Sequence, residues 1–310
     1  MNNLVNNIPD SRGINAYTRD KYFSKLLEFY AGKDLLNQIE DKFIELGECV
    51  GSELEDLALS ADKNPPKLIK RLRDGSLSNK IEKHPDFIKL EKIAFEKFGL
   101  AAMSHRAGTF EMQSVLPPII KYGLTFLFVQ NEFGLCCPVS MTDSLTRTLK
   151  KFGDEKLINK FFEQLTSQDI DELFQGAMFM TEQHAGSDVG SIDTIAENID
   201  GQWYLSGDKW FCSNPDADLA MVLARYDKKT KGTKGLSLFL LPKKLENGQP
   251  NNYEIIRLKD KLGGRSFASG EIRLNKAFAY IVGEKTEGFK QMTDMINMSR
   301  LSNGVRASGM

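Results

Sequence analysis

The chain has 310 residues, is 41% hydrophobic and 27% charged, and carries a net charge of −1 at pH 7, which fits about two globular domains and excludes a strongly basic polyanion binder. Four cysteines (Cys49, Cys136, Cys137, Cys212) without C-x-x-C pairing, and three scattered histidines, exclude a zinc-type metal site. Met1-Asn2-Asn3 is neither basic nor apolar, and no apolar run approaches the ~20 residues of a membrane helix, so a reduced, cytoplasmic protein is expected.

Residues 1–16 are polar and Asn-rich and read as an arm, ordered on contact or simply loose. From Asp20, Tyr22, Phe23, Leu26, Leu27 and Tyr30 recur at three and four residues, which predicts a helix with one apolar face. The same period runs from Asp34 to Ala61 and is broken by Asn64-Pro65-Pro66. Lys67–Arg73 is expected as a short basic helix or turn with a solvated face, followed by an Asp74-Gly75-Ser76 loop. His84-Pro85 opens the next helix, Pro117-Pro118 opens a buried one, and Ser140–Lys151 and Asp154–Leu165 give two more. Residues 1–174 are therefore expected to form an all-helical domain.

At Gln175 the period changes. Ala177, Phe179 and Thr181 alternate with Met178 and Met180, as in a strand. Asp200-Gly201 is a two-residue hairpin signal between Ile195–Ile199 and Trp203–Leu205. Strands are expected at 219–226, 236–241, 253–258, 270–274 and 278–282, giving a small antiparallel β-barrel-like domain over 175–284. The Lys-rich stretch 228–235 reads as a solvated hairpin tip, with phosphate contact as the alternative, and 259–265 reads as a turn. The helical period returns from Glu287 and runs to Met310 without a cap or breaker. The fold class is thus α+β: a helical domain, a β domain, and over 285–310 the first helix of a C-terminal helical bundle.

Chemistry concentrates between Met178 and Asn214. Thr181 and Glu182 precede a loop of small residues, Ala185-Gly186-Ser187, whose backbone amides can approach an anion closely. Trp210-Phe211-Cys212-Ser213-Asn214 sets aromatics beside a hydroxyl, one way to wall a flat ring and donate a hydrogen bond to it. The spelling M-T-E-x-x-A-G-S-D followed by G-x-K-W-F-x-S-N resembles the acyl-CoA dehydrogenase family of flavoproteins. Asn64-Pro65-Pro66, the Cys137–Thr142 run C-P-V-S-M-T, the Arg257–Gly263 run R-L-K-D-K-L-G, and Arg265-Ser266 are similar to its AidB-like branch, over roughly Tyr17 to Met310.

The resemblance implies FAD as cofactor and an acyl-CoA thioester as substrate, dehydrogenated between its α and β carbons, with the electron acceptor open. It implies cofactor contacts from Met178, Met180, Thr181, Gly186, Ser187, Phe211, Cys212 and Ser213, and substrate contacts from Ser187 and Arg300. Phe211 stands where many members have Trp, and Ser213 where they have Thr. Asn297 replaces an aspartate three residues before Arg300, and Ser299 replaces the base that one branch places just before that arginine. Ser299 cannot accept a proton at neutral pH. No catalytic residue is therefore expected within the chain, the base being expected in a later helical region that this sequence largely lacks. A homo-oligomer is implied for a full-length member. The alternative function is an AidB-like role in DNA protection with little dehydrogenase activity, and a third reading is an inactive remnant that binds flavin weakly.

Overall fold

The computed structural model describes residues 10–310; most of the polar arm expected at the start lies outside them. Asn15 caps α1 (Ala16–Arg19) by accepting the Tyr17 and Thr18 amides, and Asp20 does the same for α2 (Lys21–Ala31). Helix α2 differs from expectation. Phe23 and Leu27 are buried, while Tyr22 (82%), Leu26 (52%) and Tyr30 (64%) are exposed, so only one side of its wide apolar band meets the core.

The long helix expected from Asp34 to Ala61 is two, α3 (Lys33–Val50) and α4 (Glu53–Lys63). The chain before α1 crosses at the break: Gly13 donates to the Gly51 carbonyl at 2.7 Å, and a Cβ on Gly51 would stand 2.2 Å from the Ile14 oxygen. Helix α3 forms the centre of the helical core with Ile39, Phe43 and Leu46, against Tyr17, Phe23 and Phe126.

Most of Lys67–Arg73 is extended rather than helix or turn, and only Arg73 enters the turn that follows. The segment contributes β1 (Lys67–Arg71), paired antiparallel with β2 (Leu77–Glu82), so the first 174 residues are not all-helical. Two causes act together. Pro65-Pro66 drives the chain into extended geometry, and Asp74 with Gly75 at φ 84 makes a tight reversal. A distant contact then holds the hairpin: the Asn79 side chain donates to the Tyr253 carbonyl at 2.7 Å and accepts the Ile255 amide at 2.9 Å.

Helices α5 (Pro85–Glu91), α6 (Pro118–Phe128), α7 (Cys136–Phe152) and α8 (Glu155–Leu165) follow, α5 running on into a π-helical turn over Lys92–Lys97. A seven-stranded sheet comes next: β3 (Gly176–Phe179), β4 (Ile195–Ile199), β5 (Gln202–Ser213), β6 (Leu219–Arg225), β7 (Leu236–Pro242), β8 (Tyr253–Leu258) and β9 (Ser269–Val282). Asp200 (φ 52) and Gly201 (φ 85) form the β4–β5 reversal with the left-handed pair that such a hairpin requires.

The antiparallel, barrel-like expectation is corrected here. The sheet is mixed: β3 runs parallel to β6 from Gly176↔Leu219 to Phe179↔Val222, and β4 meets β6, also parallel, only at Ile195↔Arg225. With a single bridge there, the strands do not close into a barrel. The two strands expected at 270–274 and 278–282 are one continuous β9, which takes up its irregularity in a register shift opposite Leu205/Ser206. Helix α9 (Gly288–Gly309) packs on α6, α7 and β7. Among the described residues no helix is long and apolar enough to cross a membrane.

Replacing Asn79 with Ala orphans one carbonyl and one amide of β8. The expected loss is about 1–2 kcal/mol of unfolding free energy in a urea titration; an unchanged midpoint would show that β8 does not depend on the hairpin.

Candidate functional site

The two motifs meet through backbone. After β3 the chain leaves the sheet at Met180, and the Trp210 amide of β5 donates to the Thr181 carbonyl at 2.7 Å. Beneath this bond lies a charge pair. Lys209 is fully buried and donates to Glu182 at 2.7 Å and to the Met180 carbonyl at 3.2 Å. Glu182 also accepts the Asp193 amide (2.7 Å), the Thr194 amide (3.0 Å) and the Thr194 hydroxyl (2.5 Å). Burial raises the Glu182 pKa, but the Lys209 ammonium and these hydrogen bonds outweigh it, so the carboxyl sits below its ordinary value. Burial pulls the Lys209 ammonium down against the holding effect of Glu182.

A second tie lies at the far end of the strand. Asn214, buried at φ 54, donates from its side chain to Gln175 Oε1 (3.1 Å) and to the Gly176 carbonyl (3.3 Å). The Gly176 amide in turn donates to Thr142 Oγ1 on α7 at 2.9 Å. A Cβ on Gly176 would stand 2.9 Å from Thr142 Cα, so glycine permits this approach of helix and strand.

Between the ties β5 bulges. Its register against β9 shifts between Lys209 and Cys212, and Phe211 adopts φ 54. The bulge turns Phe211 outward, 62% exposed, while Cys212 points into the apolar core and burial raises its thiol pKa. Lys259 Nζ stands 3.6 Å from the Phe211 ring centre and 4.8 Å from that of Trp210. Ser213 is half-buried and stands opposite Ser269 of β9.

Beyond Glu182 the chain makes a tight turn, Glu182 and Ala185 exchanging backbone hydrogen bonds at 3.1 and 3.2 Å. Gly186 and Ser187 are exposed, with open space where a Gly186 Cβ would stand. Arg225 holds the end of this loop, donating to Gly190 (2.6 Å) and Ile192 (3.0 Å) while reaching Thr230 (2.8 Å) on the Lys-rich tip. The tip is therefore anchored to the small-residue loop.

Residues 6–172 match the adaptive response protein AidB N-terminal domain, and residues 177–277 match the acyl-CoA dehydrogenase middle domain. The chain belongs to the acyl-CoA dehydrogenase family, as an AidB-like member. It is 30% identical over 304 residues to acyl-CoA dehydrogenase family member 11 of Caenorhabditis elegans, covering 95% of this chain and 49% of that one. It is 31% identical to the putative acyl-CoA dehydrogenase AidB of Escherichia coli, covering 84% of this chain and 48% of that protein. The crystal structure of C. elegans ACDH-11 in complex with C11-CoA superposes with a TM-score of 0.86 at 30% identity, over 95% of this chain and 51% of that chain. The chain thus spans about half the length of the curated relatives it matches.

Within this acyl-CoA dehydrogenase framework the anticipated residues separate by position. Thr181, Phe211 and Ser213 share the bonded wall, and Gly186 and Ser187 lie on the adjoining loop. Met178 and Met180 pack their side chains against the apolar cluster beneath α7 and α9 and, like Cys212, leave only backbone toward the wall. Arg300 is exposed on α9, as is Asn297.

Other residues of the site are silent in the sequence pattern. Lys209 looks like any strand lysine, and its burial follows only from the partner 27 residues earlier. Lys259 and Lys261 have the spelling of turn residues. Lys261 donates to the Phe267 carbonyl at 2.7 Å, and burial lowers its pKa to about 8. Two lysines two positions apart, so soon after a strand, are the available signal.

Lys209→Met leaves Glu182 buried without its counter-charge and should cost about 3–5 kcal/mol in chemical denaturation. Glu182→Gln combined with it should cost clearly less than the sum of the two single changes. Because folded Glu182 holds its proton less tightly than the unfolded chain does, its contribution is complete above the ordinary carboxylate pKa. It is lost as the pH falls through the lower folded value. The acid limb of a stability–pH curve should therefore flatten in Glu182→Gln.

Proposed function

We propose that this chain is the flavin- and thioester-binding part of an FAD-dependent acyl-CoA dehydrogenase-type oxidoreductase. The observation that carries the reading is the Trp210–Thr181 backbone bond, which makes one wall of two motifs. The donor set fits FAD. The amides of Thr181, Gly186 and Ser187 donate to no protein acceptor among the described residues. A planar ring needs edge donors and a diphosphate needs clustered amides, and this surface offers both.

FAD, when bound, supplies a hydride acceptor for the β-carbon of an acyl thioester. The chain's residues bind and orient. Thr181 and Ser213 donate to the ring edge, and Phe211 and Trp210 pack against the ring system. Met178, Met180 and Cys212 contribute backbone to the cofactor site. Gly186 and Ser187 receive the diphosphate, Ser187 also bordering the thioester, and exposed Arg300 reaches the anionic CoA end. Glu182 is no base here: it is sealed under the wall and paired with Lys209.

FAD titrated into the purified chain should bind with quenched fluorescence. Phe211→Ala should weaken it about tenfold, the equivalent of roughly 1.4 kcal/mol, with no loss of thermal stability because the side chain is exposed. Absence of FAD binding at any concentration would end the proposal. Acyl-CoA added anaerobically should not bleach the bound flavin, since no base is assigned within these residues. The second reading, an AidB-like role in DNA protection, is tested by titrating duplex DNA at several salt concentrations; binding that falls steeply with added salt decides for it.

A further inference from the structure

The turn after β8 gathers cations around a small cavity beside the wall. The cavity, about 210 Å³, opens between Pro65-Pro66 and the 258–269 segment. Its charged lining is Lys259, Lys261 and Arg265 with one acid, Asp260. Lys259 lies over the Phe211 ring, 3.6 Å from its centre. Lys261 turns the other way. Its Nζ donates to the Phe267 carbonyl at 2.7 Å, lies 3.5 Å from Ser269 Oγ, and stands 3.4 Å from the Phe267 ring centre. Ser269 opens β9 and is the cross-strand partner of Ser213, so one side chain separates this amine from the end of the wall.

The contacts of Lys261 are a carbonyl, a hydroxyl and a ring, none of which carries a negative charge. Burial lowers its pKa to about 8, outweighing the Cys137 thiol on α7, Asp62 on α4 and Glu132 before α7, which act the other way. Both carboxyl groups are otherwise engaged. Asp62 accepts the Arg265 amide at 2.8 Å, and Glu132 accepts the Leu135 amide (2.8 Å) and the Ser266 hydroxyl (3.0 Å). An exposed lysine, with a pKa of about 10.4, is almost wholly protonated near pH ~7.5. Roughly a quarter of Lys261 is free amine there, a share a few hundred times larger.

We propose that Lys261 is a modification site, an acyl acceptor for short-chain acyl-CoA thioesters. The free amine attacks the thioester carbonyl carbon, a C–N bond forms, and the C–S bond breaks. The CoA thiolate leaves and takes up the proton that the nitrogen sheds, and an uncharged amide remains on Lys261. No oxidant or further reactant enters. The cavity is smaller than the roughly 300–1,000 Å³ that encloses a whole drug-sized ligand, so it takes the acyl end alone, while Lys259 and Arg265 offer counter-charge to the CoA phosphates. The choice of acyl-CoA rests on the thioester reading above; the reactivity of the amine does not.

The test incubates the purified chain, without added FAD, with acetyl-CoA from about pH 6.5 to about pH 10 and follows each lysine by peptide mass spectrometry. Near pH ~7.5 Lys261 should be acetylated at least about tenfold faster than the exposed Lys228 and Lys229. Its rate should level off above its own pKa, while theirs keep rising toward the ordinary lysine value. Lys261→Arg should remove this site and leave the others unchanged; the wild-type measurements stand without that variant. Trace labelling with acetic anhydride, which needs no CoA site, reads the amine by itself. Equal rates at Lys261 and the exposed lysines overturn the proposal, as does a Lys261 rate that rises without levelling. Selection of Lys261 by the anhydride but not by acetyl-CoA overturns it too, because the amine would be reactive yet closed to thioesters. If the chain binds no FAD but Lys261 is acetylated first, the flavin reading falls alone and this inference stands.

Discussion

The buried pair of Lys209 and Glu182 is the constraint on which the site depends. A buried pair is weak support for stability, because desolvation of two ions offsets most of their attraction. Its effect here is alignment. Lys209 reaches the Met180 carbonyl and the Glu182 carboxylate together only in one register of β5 against the loop after β3. Apolar side chains of equal volume would fill the space and leave that register free to slip. With the pair in place, Trp210 must meet Thr181, and the bulge at Phe211 follows.

Below this surface and above it the polar groups behave oppositely. Glu182, Asn214 and Thr142 spend their hydrogen bonds on the chain itself. Thr181, Gly186 and Ser187 keep donors free and face outward. Rigid support under uncommitted donors is how a fold prepares a binding surface without reorganising when the ligand arrives. Arg225 extends the arrangement sideways by holding the loop to the Lys-rich tip.

Much of this is legible where the signal is local. Asp200-Gly201 locates a hairpin from turn chemistry alone, and the bounds of β8 follow its alternation. Asp20 and Asp154 cap the helices that they precede. The rest lies in contacts between distant segments. The parallel pairing of β3 with β6 joins residues some forty positions apart, and no alternation pattern reveals whether a neighbour runs parallel. Lys67–Arg71 carries a basic pattern that solvent would accept in any conformation, and Asn79 decides it from the far side of the molecule. Tyr22, Leu26 and Tyr30 fit a helical stripe, yet the core is narrower than the stripe.

The hairpin of β1 and β2 also bears on how the chain is made. Asn79 finds its partner Tyr253 174 residues later. At about 5–20 residues per second on the ribosome, roughly 10 to 35 seconds pass between the emergence of the two. During that interval the helical portion has left the exit tunnel with one ribbon still undocked. Completion of this part of the molecule waits for translation to reach β8, so the two halves mature as a single product rather than one after the other.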